Sequence, residues 1–251
     1  MRSLAIIQAR MGSTRLPGKV LLKIKGKPML VHIFDRLKRC QYIDHIILAT
    51  SNSVQDYPLL DLAKKEKVEG FAGSEQDVLD RYYQAARQHR PDWVVRITGD
   101  CPVIDPEITD LVIKRHSEKH RDYTSNTVVR SYPRGLDTEV MTFEALEKAA
   151  TEAFKPYERE HVTPYIFEHP KSFSIEQVLA EPRHLQPDLR LTVDTPEDLE
   201  LIQEIFSHLY NTNPFFLVDE ILNLMKQQPE LSKVNAHIKQ KTVPLISQDG
   251  P

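Results

Sequence analysis

The sequence predicts an α/β protein with a mostly parallel, doubly wound sheet and helices on both faces. Four short apolar runs have the length of buried strands, at residues 4–8, 45–50, 68–72 and 93–98. Segments of helical periodicity separate these runs, so that strands and helices alternate along the chain. Because a strand that returns parallel to its neighbour needs a right-handed crossover, this alternation favours the doubly wound arrangement.

Capping residues set the helix boundaries in the first half of the chain. Pro28 fits the first turn of a helix that ends near Lys38-Arg39, where cations suit the helix dipole. Ser74 is a candidate N-cap for a later helix, because its hydroxyl can accept a hydrogen bond from a free backbone N–H. Asp105, which is followed by proline, is expected to cap another helix.

The pattern becomes looser after residue 123 and regular again near residue 190. The predicted elements are a strand at 137–142, helices at 143–154 and 156–167, a strand at 190–194, and helices at 195–206 and 215–225. We expect one main domain over residues 1–227. An insert at about 123–185 could hold a second substrate or form a dimer face, and residues 228–251 are predicted to be a tail.

Composition excludes several classes of protein. A chain of 251 residues with 40% hydrophobic and 27% charged residues is long enough for one large globular α/β domain. A net charge of −3 gives no sign of a nucleic-acid-binding surface. Cys40 and Cys101 have neither disulfide nor zinc spacing, which suits a reducing cytoplasm. Since no apolar stretch approaches the roughly eighteen residues of a membrane span, we expect a cytoplasmic protein with no membrane partner.

The first strand is followed directly by a loop rich in cations and hydroxyls. Between residues 10 and 19 the loop contains Arg10, Arg15, Lys19, Ser13 and Thr14. An isolated Gly-Ser-Thr turn would more often be an ordinary strand-to-helix connection, but this loop lies where open α/β sheets bind ligands. Its backbone N–H groups, hydroxyls and cations suit a polyphosphate. It has neither the G-x-x-x-x-G-K-[ST] pattern of a P-loop nor the G-x-G-x-x-G pattern of a dinucleotide-binding turn.

Two aspartates, Asp100 and Asp194, each follow directly on a predicted strand. In a parallel sheet both would lie at the same carboxyl edge as the cationic loop. Carboxylates at such a place suit Mg²⁺, which is commonly held by one or two carboxylates together with substrate phosphates. Either residue alone could form a turn or cap a helix, but the pair beside a polyphosphate loop favours a metal site.

The remaining charged residues leave two interpretations open. Asp137 and Glu139 alternate along a predicted strand, and the face that they share could line a pocket or meet solvent. Arg159 and His161 could belong to an ion-paired helix surface or contact an anionic substrate, and their aromatic neighbours favour the substrate. His45 has no metal-ligand spacing to other residues and indicates a surface or strand-edge histidine.

Several stretches of the sequence resemble one enzyme family. They are ARMGSTRLPGK at 9–19, GDCP at 99–102 and VDTPEDL at 193–199. These stretches are similar to the cytidylyltransferases that make CMP-activated acidic sugars, the CMP-KDO and acylneuraminate group. Residues 73–83 and 159–165 add a similarity to the spore-coat-polysaccharide branch, and the likeness extends from about residue 4 to residue 209.

The resemblance implies a Rossmann-like nucleotidyltransferase fold and a Mg²⁺-dependent transfer of CMP from CTP to an acidic sugar, nonulosonic or KDO-like, with release of pyrophosphate. It implies catalytic roles for Arg10, Arg15, Lys19 and Asp100, and a metal site formed by Asp100 and Asp194. The nucleotide-binding residues would be Gln8, Ala9, Arg10, Met11, Gly12, Ser13, Thr14, Arg15, Lys19, Gly73, Ser74, Arg81, Thr98 and Gly99. The predicted acceptor-binding residues are Asp137, Glu139, Arg159 and His161.

Two other classes of protein stay open at this point. A nucleotide-sugar-dependent glycosyltransferase of GT-A-like fold would have a similar sheet, but such enzymes often hold their metal with an Asp-x-Asp pair, and the sequence contains none. An inactive nucleotide-binding regulatory subunit is the second class, and the intact Lys19, Asp100 and Asp194 count against it. The expected partners are CTP and an acidic sugar, with no nucleic acid, and the chain could form a homodimer.

Overall fold

The computed structural model describes residues 1–240, so residues 241–251 of the predicted tail lie outside the described part of the chain. The described strands are β1 (Ser3–Gln8), β2 (Lys23–Ile24), β3 (Lys27–Pro28), β4 (His45–Ser51), β5 (Glu69–Gly73), β6 (Trp93–Thr98), β7 (Tyr123–Ser125), β8 (Glu139–Thr142) and β9 (Ile175–Gln177). The described α-helices are α1 (Met29–Leu37), α2 (Tyr57–Lys65), α3 (Val78–His89), α4 (Pro106–Lys119), α5 (Phe143–Glu152), α6 (Pro156–His161), α7 (Pro164–Phe167), α8 (Pro196–Leu209) and α9 (Val218–Gln227).

Seven strands form one sheet in the order β5-β4-β1-β6-β8-β7-β9, and β2 pairs with β3 in a separate ribbon. The strands β5, β4, β1 and β6 are parallel, and β8 is antiparallel to both of its neighbours. The prediction of a mostly parallel, doubly wound sheet is therefore confirmed. Because Gln8 of β1 lies opposite Thr98 of β6, the two central strands end at the same edge of the sheet.

Alternate residues of the first strand enter two different hydrophobic cores. Ala5 and Ile7 belong to the larger core, which α1, α2, α4, α8 and α9 cover, while Leu4 and Ile6 belong to the core under α3, α5 and α7. A parallel strand with both faces covered has a continuous apolar run rather than an alternating one. This explains why the sequence of β1 was recognisable as a buried strand.

One predicted strand does not form. In residues 190–194 only Arg190 makes a β-bridge, to Arg134, although Leu191 and Val193 are fully buried. Here the chain crosses the end of the sheet instead of joining it, and the N–H of Val193 donates to the carbonyl of Asp100 at 2.9 Å. The prediction was wrong because a short apolar run indicates burial without indicating a strand partner.

Some predicted helix boundaries also change. The helix expected at 156–167 is divided into α6 and α7, since Val162 between them has a positive φ of 74°. The N-cap of α3 is Asp77, whose carboxylate accepts from the N–H of Asp80 at 2.9 Å, and not the predicted Ser74. The predicted cap at Asp105 is confirmed, because its carboxylate accepts from the first free N–H groups of α4.

The described part of the predicted tail packs against the main domain. Asn235 is buried and its amide donates to the carbonyl of Arg190 and the carboxylate of Asp198 at 3.0 and 2.9 Å. The boundary at residue 227 and the role of the insert stay predictions. Within residues 1–240, each helix is too short or too polar to span a bilayer.

Candidate active site

A cavity of about 760 Å³ opens at the carboxyl edge of the sheet, where β1 and β6 end. Within the described residues, the predicted positions Met11, Gly12, Gly73 and Ser74 do not line it. The lining residues are Gln8, Ala9, Arg10, Ser13, Thr14, Arg15, Lys19, Val20, Glu75, Gln76, Val78, Arg81, Thr98, Gly99, Asp100, Glu160, His161 and Asp194.

The cationic loop is held in place by a buried acid that the sequence did not identify. The N–H of Met11 donates to the carboxylate of Asp56 at 2.7 Å, and the hydroxyl of Ser51 donates to the same carboxylate. The carbonyl of Met11 accepts from the N–H of Gly18 at 3.0 Å, and Gly18 has a φ of 66°, which suits glycine. Met11 therefore shapes the loop through its backbone.

Lys19 lies on the floor of the cavity and joins its two acids. Its ammonium donates to Asp100 Oδ2 at 3.0 Å, to Asp194 Oδ1 at 2.8 Å and to the carbonyl of Val193 at 2.8 Å. Burial alone would lower the pKa of Lys19, but the two carboxylates raise it above its ordinary value. Lys19 is thus charged at neutral pH and uses all three of its donors.

The two aspartates meet although only one of them follows a strand. Burial would raise the pKa of both carboxyls, but the charge of Lys19 and the hydrogen bonds that each carboxylate accepts together outweigh burial and lower both values. Asp194 Oδ2 also forms an ion pair with Arg15 at 3.0 Å and accepts from Arg190 at 2.6 Å. Both carboxylates are therefore ionised at neutral pH.

The predicted Mg²⁺ site can be tested against this arrangement. Two ionised carboxylates, on Asp100 and Asp194, converge on one point that a cation already fills, the ammonium of Lys19. Hard oxygen donors around one cationic position are the chemistry that Mg²⁺ requires. The residues present therefore fit the metal, provided that Lys19 shares its two carboxylates.

A close approach of the backbone brings the strand ends together under the cavity. The N–H of Gly99 donates to the carbonyl of Gln8 at 2.8 Å. A Cβ on Gly99 would lie 2.8 Å from that carbonyl oxygen and 2.9 Å from the Cβ of Ala9, so a side chain cannot fit. The hydroxyl of Thr98 then donates to Asp100 Oδ1 at 2.6 Å and orients this carboxylate.

Two polar atoms beside the cavity lack partners among the described residues. They are the amide oxygen of Gln8 and the Nε of Arg81, and both are buried. Burial, together with the nearby charge of Arg10, lowers the pKa of Arg81. Gly73 contributes indirectly, since a Cβ there would lie 2.9 Å from the Cγ of Arg81. Both atoms are closed off from solvent, whereas other parts of the Gln8 and Arg81 side chains line the cavity.

Of the four predicted acceptor residues, only His161 lines the cavity. Asp137 pairs with Arg130, and Arg159 pairs with Asp77 at 2.6 Å. Glu139 is enclosed in the core. The structure thus brings neither Asp137, Glu139 nor Arg159 into the cavity.

Glu139 belongs to a buried network that ends next to the cavity. Its carboxylate pairs with Arg96 and accepts from the hydroxyls of Tyr123 and Thr163, the latter at 2.7 Å. The N–H of Thr163 donates to the carbonyl of His161 at 2.9 Å, which closes a turn around Val162.

The turn at Val162 is strained and presents His161 to the cavity. Val162 is fully buried, with φ 74° and ψ −56°, values of the rare γ-turn that a β-branched residue seldom adopts. Burial lowers the pKa of His161 below its ordinary value, although Glu160 raises it. Backbone strain of this kind collects at functional sites. Glu75, Gln76, Val78 and Glu160 also line the cavity and were missed. Glu75 and Gln76 lie in the bend before α3, and nothing in the local sequence indicates which side chains of this bend or of α3 and α6 face the cavity.

Comparison with known proteins gives consistent matches. The cytidylyltransferase family matches residues 4–232 of the chain. A cytidylyltransferase from Leptospira borgpetersenii of known structure superposes with a TM-score of 0.86 and 33% sequence identity, over 97% of this chain and 99% of that chain. The predicted family resemblance is confirmed.

Two of the similar proteins are named here with the functions that their names describe. The spore coat polysaccharide biosynthesis protein SpsF of Bacillus subtilis is 34% identical over 232 residues, which are 90% of this chain and 95% of that protein. The 3-deoxy-manno-octulosonate cytidylyltransferase of Anaeromyxobacter dehalogenans is 29% identical over 238 residues, 80% of this chain and 96% of that protein.

Proposed function

This chain belongs to the cytidylyltransferase family, and on that premise we propose that it transfers CMP from CTP to an acidic sugar with release of pyrophosphate, using Mg²⁺. As a family member it is a nucleotidyltransferase. The observation that carries the finer proposal is the contact of Lys19 with both Asp100 and Asp194 on the floor of a cavity walled by the cationic loop.

The loop supplies the groups that a triphosphate needs. Ser13 and Thr14 offer hydroxyls, and Arg10 and Arg15 offer charge, all at the cavity wall. Arg10 has no ion pair within residues 1–240, so its charge is available to a phosphate. We expect Arg15 and Lys19 to stabilise the charge that develops on the departing pyrophosphate.

Asp100 and Asp194 would hold the Mg²⁺ ion, which when bound neutralises phosphate charge and polarises the α-phosphate. The chain itself supplies orientation. Thr98 fixes the carboxylate of Asp100, and Arg190 fixes that of Asp194. Positioning and charge neutralisation are the main contributions that phosphoryl and nucleotidyl transfer ask of a protein.

His161 is suited to take the proton of the acceptor hydroxyl. In the proposed step the hydroxyl oxygen forms a bond to the α-phosphorus, and the bond from that phosphorus to the bridging oxygen breaks. Pyrophosphate leaves with the electron pair, and the hydroxyl proton passes to the imidazole. The lowered pKa of His161 keeps the ring neutral at pH 7, as a general base requires.

Gln8 and Arg81 are suited to read the base. The amino group of cytosine can donate to the amide oxygen of Gln8, and the ring nitrogen or carbonyl of cytosine can accept from Arg81. Uracil would place a carbonyl against the carbonyl of Gln8 instead. A site built to pair with a polar group rejects the analogue that lacks it, which supports a preference for CTP over UTP.

An acidic acceptor is supported by the relatives, not by a contact in the cavity. The Anaeromyxobacter relative is named for a sugar acid, 3-deoxy-manno-octulosonate, and SpsF is named for spore coat polysaccharide biosynthesis. Arg10 and Arg81 are the cavity cations with no ion pair among the described residues, and both could meet a carboxylate as well as a phosphate.

The first experiment compares nucleotides by thermal shift. CTP with Mg²⁺ should raise the melting temperature more than UTP, ATP or GTP at the same concentration, because binding to the folded state stabilises it. Gln8→Leu should reduce the difference between CTP and UTP. A larger shift with a nucleoside diphosphate sugar than with CTP would favour the glycosyltransferase class instead.

The second experiment measures pyrophosphate release from CTP, Mg²⁺ and a panel of acidic sugars that includes KDO and N-acetylneuraminic acid. Release that depends on one of these acceptors is expected. His161→Asn should then lower kcat about 10²-fold or more without changing the thermal shift with CTP. CTP binding with no release on any acceptor would favour the inactive regulatory class.

A further inference from the structure

Two histidines and a glutamate meet at the edge of the sheet opposite the cavity. His45 is the first residue of β4, Glu69 the first residue of β5, and His89 the last residue of α3. The Nε2 atom of His45 lies 2.6 Å from Glu69 Oε2, and that of His89 lies 2.9 Å from Glu69 Oε1. No local sequence motif connects these residues, because three separate elements bring them together.

The three side chains have the chemistry and accessibility of a metal site. One ligand atom from each residue lies within 4.8 Å of the others, and the two imidazole rings are 4.9 Å apart between centroids. Zinc at about 2.0–2.2 Å from each ligand requires ligand atoms roughly 3.4 Å apart, so shifts of about 1 Å suffice. The side chains are between 32% and 46% exposed, which leaves the site open to an ion from solvent.

The carboxylate is prepared to act as a ligand. Burial would raise the pKa of Glu69, but the hydrogen bonds with His45 and His89 lower it below its ordinary value. An ionised glutamate is therefore present throughout the neutral range. A metal ligand must be deprotonated, and the lowered pKa of the Glu69 carboxyl meets that condition.

We propose that His45, Glu69 and His89 bind one divalent transition-metal ion, Zn²⁺ foremost, at a site separate from the active site. Imidazole nitrogen and carboxylate oxygen in this ratio suit zinc, with water in the remaining position. The softer imidazole ligands distinguish this site from the all-oxygen site proposed for Mg²⁺. The ion would link β4, β5 and α3, because each ligand comes from a different element.

The bound ion would connect elements whose opposite ends lie near the cavity. β4 ends at Ser51, which holds Asp56 under the cationic loop, and α3 begins at Val78, which lines the cavity. Seven strand residues place His45 roughly 20 Å from that end. The ion is thus too far away to touch a bound nucleotide, and its expected effect is on stability.

The test uses the full chain without an affinity tag, stripped of metal with a chelator, at pH 7.5. Calorimetric titration with ZnCl₂ should show one saturable site per chain. At 100 times the dissociation constant, zinc should raise the melting temperature by about 5–10 °C. MgCl₂ should not reproduce this shift, because Mg²⁺ prefers oxygen ligands to imidazole nitrogen.

Variants separate this site from other places where zinc could bind. His45→Gln and His89→Gln should each weaken zinc affinity at least about 10-fold, whereas His208→Gln, an exposed histidine on α8, should keep the parent affinity. Co²⁺ bound to the parent should give visible d–d bands that His89→Gln loses, a readout that does not depend on stability. Parent-like zinc binding by His89→Gln, or no saturable site in the parent, overturns the proposal.

Discussion

Two clusters of opposite charges lie along the same sheet, one in the cavity and one in the core, and they differ in what completes them. In the cavity, Lys19 joins Asp100 and Asp194, and water or a ligand can reach them. In the core, Glu139 pairs with Arg96, and protein groups fill the remaining positions. The first cluster is thus open to the cavity, and protein groups enclose the second.

The comparison of the two clusters indicates which charged residues at the edge of the sheet are candidates for a functional role. Glu139 is 4% exposed, and Tyr123 and Thr163 complete its hydrogen bonds, so the carboxylate has no position left for a substrate. Asp194 also has protein partners, but its side chain stays open to the cavity. Ionisation is common to both clusters, and access distinguishes them. Each prediction below changes one cluster and asks whether the other is affected.

The largest effect is expected from Glu139→Ala. This change leaves Arg96 buried without its counter-charge, and an uncompensated buried charge costs about 3–5 kcal/mol in free energy of unfolding. Urea denaturation of the parent and the variant measures the difference. The matched control is Glu118→Ala, which removes an exposed ion pair with Lys114 and should cost no more than about 0.5 kcal/mol. Equal losses in both variants would contradict the enclosed role of Glu139.

The second prediction concerns the cavity cluster. Asp100→Asn keeps the shape of the side chain but removes the charge that faces Lys19 and the proposed metal position. Pyrophosphate release should fall about 10²–10³-fold, the range for loss of one charge-stabilising group. The fold should persist in circular dichroism, and exposed Asp188→Asn should release pyrophosphate like the parent. Undiminished release by Asp100→Asn would remove the metal assignment.

The sequence was sufficient for the sheet and for the residues of the cationic loop that line the cavity. Continuous apolar runs identified β1, β4 and β6, because most side chains of a strand covered on both faces are apolar. Asp100 was found because a strand end in such a sheet determines where the next side chain lies. Both features depend on residues that are neighbours in sequence.

The residues predicted to bind the acceptor were harder to place, because partners distant in sequence determine where some of their side chains lie. Glu139 was assigned to the substrate although Arg96, 43 residues earlier, neutralises it. Asp194 lines the cavity, although the strand that was expected to precede it does not form. The turn at Val162 has no glycine or asparagine to announce its positive φ, so only the packing around it reveals the turn.

A smaller effect is expected at Thr163, which connects the core cluster to the turn that carries His161. Thr163→Val removes the hydroxyl that donates to Glu139 and should cost about 1–2 kcal/mol of stability, since this is one hydrogen bond to a charged group. The strained turn at Val162 also loses the hydrogen bond that holds Thr163 in place. We therefore expect kcat to fall while the thermal shift with CTP persists. Thr163→Ser keeps the hydroxyl and should restore both quantities. A Thr163→Val protein that loses stability but keeps full kcat would show that the core network does not position His161.

The smallest expected effect is a dependence of stability on pH that belongs to the cavity cluster. Because the pKa values of Asp100 and Asp194 are lowered in the folded state, their contribution is present above about pH 4 and is lost as the pH falls further. The raised pKa of Lys19 gives the opposite sign, so its contribution is lost above about pH 10.5. The difference in unfolding free energy between the parent and Asp100→Asn should therefore shrink below pH 4.

Urea denaturation at several pH values between 3 and 7 measures this difference. The cavity admits water, which screens the charges, so the change should be modest. The core cluster behaves differently from the cavity cluster at high pH. Burial would lower the pKa of Arg96, but Glu139 and its neighbours raise it above its ordinary value. Arg96 thus stays charged where Lys19 begins to lose its proton. A difference between the parent and Asp100→Asn that is constant down to pH 3 would mean that the Lys19 contacts do not stabilise the folded state.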